Sequence, residues 1–334
     1  MDEFSALRAA FGATAGEGLA ALGQKRALAD AVAPYLQRYG LTPCRHQARE
    51  VYAGMVPAGR FVLWCQVWAP PAPRGTVFVV HGYFDHAGLY RHLLAMLLAR
   101  GFQVVLWDLP GHGLSSGEHA AIDDFAAYVA CLRTVQAAVQ AQTLAPGPWL
   151  GIGQSTGAAI LATDALERPR VAPWAGLALL APLVRPWGWH RASALHRLVH
   201  PFTRTIARRY RPNSHDAAFV AFIRRHDPLQ HWQLSLVWVA AMRRWMARFK
   251  RYAPCELPTL MLQGEQDRTV DWRYNLAAMA EKFPRAQIYR HPRACHHLVN
   301  EALPIREALF AELGGFLEQR ATPQATLAGE RGRR

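Results

Sequence analysis

Gly153-Gln154-Ser155-Thr156-Gly157, preceded by the apolar run Pro148-Trp149-Leu150-Gly151-Ile152 and followed by Ala158-Ala159-Ile160-Leu161-Ala162, decides how the rest of the chain is read. An apolar strand, a sharp turn and a helix follow one another directly. Glycine at both ends of the pentapeptide removes side chains that would collide in a strained turn. The serine hydroxyl then stands clear of a sheet, and the amides opening the helix face it, where developing negative charge is stabilised. A plain Gly/Ser turn without chemistry has the same local composition, so residues elsewhere must supply the decision.

Outward from this stretch, short apolar runs alternate with segments of helical period, the signature of βαβ units and a mostly parallel sheet. Strands are predicted at 61–68 (in an early hairpin), 76–80, 102–107, 149–153, 177–180, 259–262 and 287–289. Helices are predicted at 89–100, with Gly101 as the stop, and at 122–142. The alternation breaks between Val184 and Pro254, where no strand is evident and 228–252 reads as helical. The reading is therefore an α/β fold: a mostly parallel central sheet flanked by helices, with a helical lid inserted after the sixth strand. Residues 1–55 form an N-terminal helical segment, 56–183 and 255–319 the core, 184–254 the lid, and 320–334 a disordered tail.

The chain has 334 residues, 51% apolar and 19% charged, which suits one large folded domain and excludes wholesale disorder. No apolar run reaches the roughly 18–20 residues that span a bilayer. The N-terminus lacks a basic segment leading into an apolar core, and the five cysteines are odd in number and scattered, pointing to reduced thiols in a cytoplasmic protein. Net charge is +14, and the excess is concentrated. Arg185 to Arg251 holds 14 Lys/Arg against two acidic residues, Asp216 and Asp227. That field suits an anionic partner, and its plain alternative is a solvated arginine-rich surface. It falls in the lid and not in a nucleic-acid-binding motif, so contact with an anionic inner membrane face is the expectation over nucleic acid.

A serine hydroxyl needs a base, and the base an orienting acid. In a sheet of this kind both follow the serine in the chain, each on a loop after a further strand. Asp267 follows the 259–262 strand, and His296, beside His297, follows the 287–289 strand. Oxyanion donors are expected from the amide of Thr156 and, in the His81-Gly82-Tyr83 loop after the 76–80 strand, from the amide of Tyr83. His112 reads as loop-stabilising and Cys295 as a small packed residue. His81 and His86 alone have ligand-like spacing, so neither a metal nor an organic cofactor is called for.

Four stretches resemble the monoglyceride lipase and lysophospholipase branch of the α/β-hydrolases, which is close to the serine aminopeptidases. His81-Gly82-Tyr83-Phe84-Asp85-His86-Ala87-Gly88-Leu89-Tyr90 resembles its HGxxEHxxRY stretch, and Asp108 to Gly117 its DxxGHGxSxG element. Gly264 to Asp271 is similar to its GxxDxxVD loop, and His296 to Glu301 to its HExxNE loop, with the Asn300-Glu301 register selecting His296 over His297. Three positions depart from the pattern: Asp85 for Glu, Leu89 for Arg and His297 for Glu. The resemblance implies Ser155, Asp267 and His296 as nucleophile, acid and base, and Tyr83 and Thr156 as oxyanion donors. It implies a serine ester hydrolase, and the Trp/Arg-rich lid points to a monoacyl lipid, as in a lysophospholipase or monoacylglycerol lipase. A carboxylesterase or aminopeptidase of small soluble substrates, or a non-catalytic membrane-binding protein of this fold, stays open.

Overall fold

The computed structural model describes residues 3–322, apart from residue 209 and the side chains of residues 192 and 195. Among the described residues the strands are β1 (Ala20–Ala21), β2 (Glu50–Ala58), β3 (Phe61–Ala69), β4 (Thr76–Val80), β5 (Gln103–Trp107), β6 (Trp149–Gln154), β7 (Trp174–Leu180), β8 (Thr205–Ala207), β9 (Gln233–Ser235), β10 (Thr259–Gly264) and β11 (Gln287–His291). The helices are α1 (Ser5–Gly12), α2 (Arg26–Arg38), α3 (Thr42–Gln47), α4 (Arg91–Ala99), α5 (Phe125–Ala141), α6 (Thr156–Glu167), α7 (Trp189–Val199), α8 (Ala217–Arg225), α9 (Leu236–Phe249), α10 (Trp272–Lys282) and α11 (Leu303–Ala321).

One sheet runs β1-β2-β3-β5-β4-β6-β7-β10-β11 and is parallel from β5 to β11. The antiparallel hairpin of β2 and β3 extends it at one side. β4 and β5 are buried at every position, as strands covered on both faces must be. One face packs on α1, α2, α4 and α11, the other on α5, α6, α9 and α10. The pairings Val80↔Gly153, Gln154↔Leu180 and Gly264↔His291 bring the carboxyl ends of β4, β6, β7, β10 and β11 together. Their loops converge in the crevice where open α/β sheets bind ligands. The α/β-hydrolase architecture read from the sequence is the one observed.

Three details differ. Residues 50–58 form β2 and residues 20–21 form β1, so the first 55 residues are not purely helical. The Val184–Pro254 insertion follows β7, the sixth strand if the two-residue β1 is set aside, and it carries two short strands, β8 and β9, paired antiparallel. α11 extends to Ala321, past the expected start of the tail, whose remainder lies outside the described residues.

α6 is the element that positions the elbow, and it is buried at every residue except its last. Asp164 on it is fully buried and accepts from Arg133 Nε at 2.8 Å, Arg168 Nη2 at 2.6 Å and Trp174 Nε1 at 2.9 Å. Thr163 Oγ1 accepts from Trp245 Nε1 at 2.8 Å, docking α9 of the insertion onto the same helix. Removing the carboxylate strands three donors around a buried void. Asp164→Ala should therefore lower the unfolding free energy in urea titration by about 3 kcal/mol; a loss under about 1 kcal/mol, the range of exposed pairs, would contradict this account of the helix.

Candidate active site

Ser155 sits between β6 and α6 with φ 54° and ψ −107°, a left-handed backbone that a non-glycine residue adopts only where the surroundings impose it. The imposing contacts are close. A Cβ on Gly157 would overlap the Val80 carbonyl, and one on Gly153 would overlap the backbone at Gly157. The Ser155 amide donates to Leu180 O at 2.8 Å, and its carbonyl accepts from Leu183 N at 3.2 Å, so the turn is tied to β7 and the loop after it.

His296 Nδ1–H donates to Asp267 Oδ2 at 2.7 Å. Asp267 Oδ2 also accepts from Gln263 Nε2 at 3.1 Å, and Oδ1 from the amides of Thr269 at 2.7 Å and Val270 at 3.2 Å. Burial works against ionisation of both side chains. The His296 charge and these hydrogen bonds outweigh it at Asp267, which is held below its ordinary value. At His296, the neighbouring Asp267 carboxylate likewise outweighs burial and raises the imidazole above its usual 6.5. The adjacent His297 goes elsewhere: its Nε2 lies 3.3 Å from Asp85 Oδ1, near enough for attraction but without hydrogen-bond alignment.

Ser155 and His296 line a common cavity of about 470 Å³ with Gly82, Tyr83 and Thr156. Among the described residues the Ser155 hydroxyl has no hydrogen-bond partner, and neither do the amides of Tyr83 and Thr156. Asp85 Oδ2 accepts from Gly82 N at 3.3 Å and Tyr90 OH at 3.1 Å, fixing the start of the Gly82–Tyr83 loop.

His81 stabilises that loop. Its Nδ1–H donates to Gly82 O at 2.7 Å and its Nε2 accepts from Leu109 N at 2.8 Å, so the buried ring is neutral. Burial lowers its pKa accordingly. Burial also pushes His112 down to about 3; its Nδ1–H donates to Pro110 O at 2.9 Å and the ring packs on Tyr83.

Several supporting contacts carried no sequence signal. Gln154, the variable position before the serine, donates from Nε2 to His296 O at 2.8 Å and links the elbow to the histidine loop. Tyr83 stacks on Trp238 of α9 at 4.0 Å, with its hydroxyl donating to Ala120 O at 2.7 Å. His86 Nε2 contacts Asp227 Oδ2 at 3.2 Å in a fully buried pair, and Tyr39 OH donates to Asp227 Oδ1 at 2.9 Å. This pair anchors the insertion to the core. His215, Cys295 and Glu301 have ligand-type atoms within 4.8 Å of one another. Glu301 uses its oxygens on the amides of Cys295, His215 and Ala302, which accounts for its burial as a clamp on the histidine loop.

A family model described as serine aminopeptidase, S33, matches residues 71–302. The chain is 28% identical to the monoglyceride lipase of Homo sapiens over 286 residues, covering 81% of this chain and 92% of that protein. Among solved structures it is similar to a soluble variant of the Saccharomyces cerevisiae monoglyceride lipase, with a TM-score of 0.70, 16% identity and coverage of 80% and 95% of the two chains. It is also similar to the Paleococcus ferrophilus monoacylglycerol lipase, with a TM-score of 0.66, 22% identity and coverage of 77% and 99%. At these identities the solved structures establish the fold.

The His296–Asp267 contact has a direct readout. An NMR titration of the imidazole should place His296 above 6.5, and Asp267→Asn should bring it down, because burial then acts without the opposing carboxylate. A titration point that does not move on that substitution would mean the two side chains do not meet in solution.

Proposed function

The chain belongs to the serine aminopeptidase S33 family, as an α/β serine hydrolase related to the monoglyceride lipases and esterases, and we propose that it cleaves carboxylic esters of monoacyl lipids, lysophospholipids or monoacylglycerols, through an acyl-enzyme on Ser155. The observation that carries the reading is the His296–Asp267 pair opening onto the same cavity as a serine held in a strained elbow. With Nδ1–H engaged by Asp267, His296 presents Nε2 as the base. It takes the Ser155 proton during attack on the acyl carbonyl and returns it to the leaving alcohol. The oxyanion forms between the amides of Tyr83 and Thr156. Water then attacks the acyl-enzyme, with His296 again as base, and releases the fatty acid.

Lipid specificity is supported by the cavity wall. Leu183, Trp238, Val239 and Met242 give the 470 Å³ space an apolar side able to take an acyl chain. In this reading residues 184–254 act as the lid. Trp238 and Trp245 are buried and belong to its packing, whereas Trp187 and Trp232 are exposed. The insertion also exposes Leu198 at 70% and Phe202 at 86%, in a stretch of chain that carries the exposed Arg191, Arg197 and Arg204. Apolar side chains flanked by arginines suit the surface of an anionic membrane.

Purified protein should hydrolyse lysophosphatidylcholine or monoacylglycerol in preference to short p-nitrophenyl esters and to peptide-like amides, and Ser155→Ala should lower kcat by about 10⁴-fold or more. Turnover unaltered in the alanine variant would eliminate the mechanism; preference for short soluble esters would move the substrate class to small carboxylic esters. Sedimentation with anionic vesicles should capture the protein at low salt and release it at high salt, and Phe202→Asp should weaken capture severalfold. Equal binding to neutral and anionic vesicles would remove the electrostatic part.

A further inference from the structure

Arg208 differs from its neighbours in the insertion. Arg185, Arg204 and Arg248 each pair with a carboxylate, Asp271, Glu118 and Asp124 respectively. Arg208 is half-buried, lines the Ser155 cavity and has no acidic partner within ion-pair distance among the described residues. Its Nη1 donates instead to neutral oxygens, Gln230 Oε1 at 2.6 Å and His231 O at 3.2 Å. The guanidinium lies over the Phe84 ring at 3.9 Å, and Phe84 directly follows the oxyanion donor Tyr83. Phe84 itself adopts φ 68°, a conformation phenylalanine rarely takes. The strain therefore falls where the oxyanion loop meets the arginine. Asp85 also lines the cavity, but its oxygens already face Gly82 N, Tyr90 OH and His297. At the mouth, Arg211 and Arg268 are exposed and likewise lack acidic partners among the described residues.

A guanidinium held by neutral acceptors and an aromatic face keeps donors available for an anion, and its planar fork fits phosphate. We propose that Arg208, assisted by Arg211 and Arg268, recognises a phosphate on the alcohol side of the substrate, so that this site prefers phosphate-bearing monoacyl lipids to uncharged monoacylglycerols. The inference rests on the ester-hydrolase reading and narrows its substrate class. With the acyl chain against the apolar wall, the phosphate lies beside the oxyanion loop. The leaving group is then a glycerophosphate ester, and no further reactant is required.

The test uses the hydrolysis of p-nitrophenyl butyrate as reporter and two non-hydrolysable ethers as competitive inhibitors, 1-O-dodecylglycerol 3-phosphate and 1-O-dodecylglycerol, each below its micellar concentration. The phosphate ether should inhibit the wild-type protein at about tenfold lower concentration, the worth of one charge-assisted contact. That ratio should fall toward one in Arg208→Met and fall only in part in Arg208→Lys, which keeps the charge but not the planar fork. Because the ratio compares two ligands on one preparation, partial loss of folded protein cancels. Should Arg208→Met fail to fold, the double variant Arg211→Met/Arg268→Met, at exposed positions, should still reduce the ratio. A wild-type ratio near one, or a ratio untouched by either variant, overturns the proposal. Inhibition by inorganic phosphate as strong as by the phosphate ether would overturn the assignment to a lipid headgroup. Failure of the parent reading looks different: the reporter turnover itself would then persist in Ser155→Ala.

Discussion

The close approach of α6 to the end of β4 is the constraint on which the remaining geometry depends. Gly157 lies against the carbonyls of Val80 and His81, with no room for a side chain. The helix can reach that position only if the preceding residue turns through a left-handed backbone, and that residue is Ser155. One contact therefore fixes several positions at once. It sets Ser155 at the turn between β6 and α6, puts Thr156 at the first position of α6, and holds both with Gly82 and Tyr83 on one cavity. Register supplies the rest, since β6, β7, β10 and β11 end close together and deliver the acid and histidine loops to the same crevice.

Around that centre the support is arranged in chains of contacts instead of isolated pairs. Gln154 ties the elbow to the His296 carbonyl, and Glu301 clamps the same loop from behind through backbone amides. The insertion is coupled to the Gly82–Tyr83 loop by the Tyr83–Trp238 stack and to α6 by Trp245 and Thr163. The buried His86–Asp227 pair fixes its far end, with burial opposing and the mutual attraction raising the imidazole and lowering the carboxyl. A segment read as a cover over the site is thus packed into it at several points, and among the described residues its exposed large apolar side chains are Trp187, Leu198, Phe202 and Trp232.

Ser155, Asp267 and His296 were legible as candidates because each is announced locally: glycine spacing at the elbow, a carboxylate just after an apolar strand, a histidine just after the next; the structure brings Asp267 onto His296 and sets Ser155 and His296 on one cavity. The parallel core was legible for the same reason, through strands such as β4 and β5 that are apolar after their first residue, Thr76 and Gln103. β2 was harder, because Gly54 and Pro57 interrupt its pattern. Pro57 is tolerated there since β1 pairs only around Tyr52 and Ala53 and leaves that edge open. β8 and β9, three residues each, are too short to show any alternation. The contacts of Arg208 with Phe84, of Asp227 with His86 and of His297 with Asp85 join residues far apart in the chain. They depend on how the insertion and the loops fold back, which no local pattern encodes. The last of these joins two positions that depart from the resembled motifs, and the departures meet in space.

Rapid quench of the protein with p-nitrophenyl laurate, followed by intact-mass measurement and peptide mapping, addresses the central claim most directly. The account predicts a single acyl adduct on the peptide containing Ser155 and none in Ser155→Ala. An acyl group on another residue, or continued ester turnover by Ser155→Ala, would contradict it.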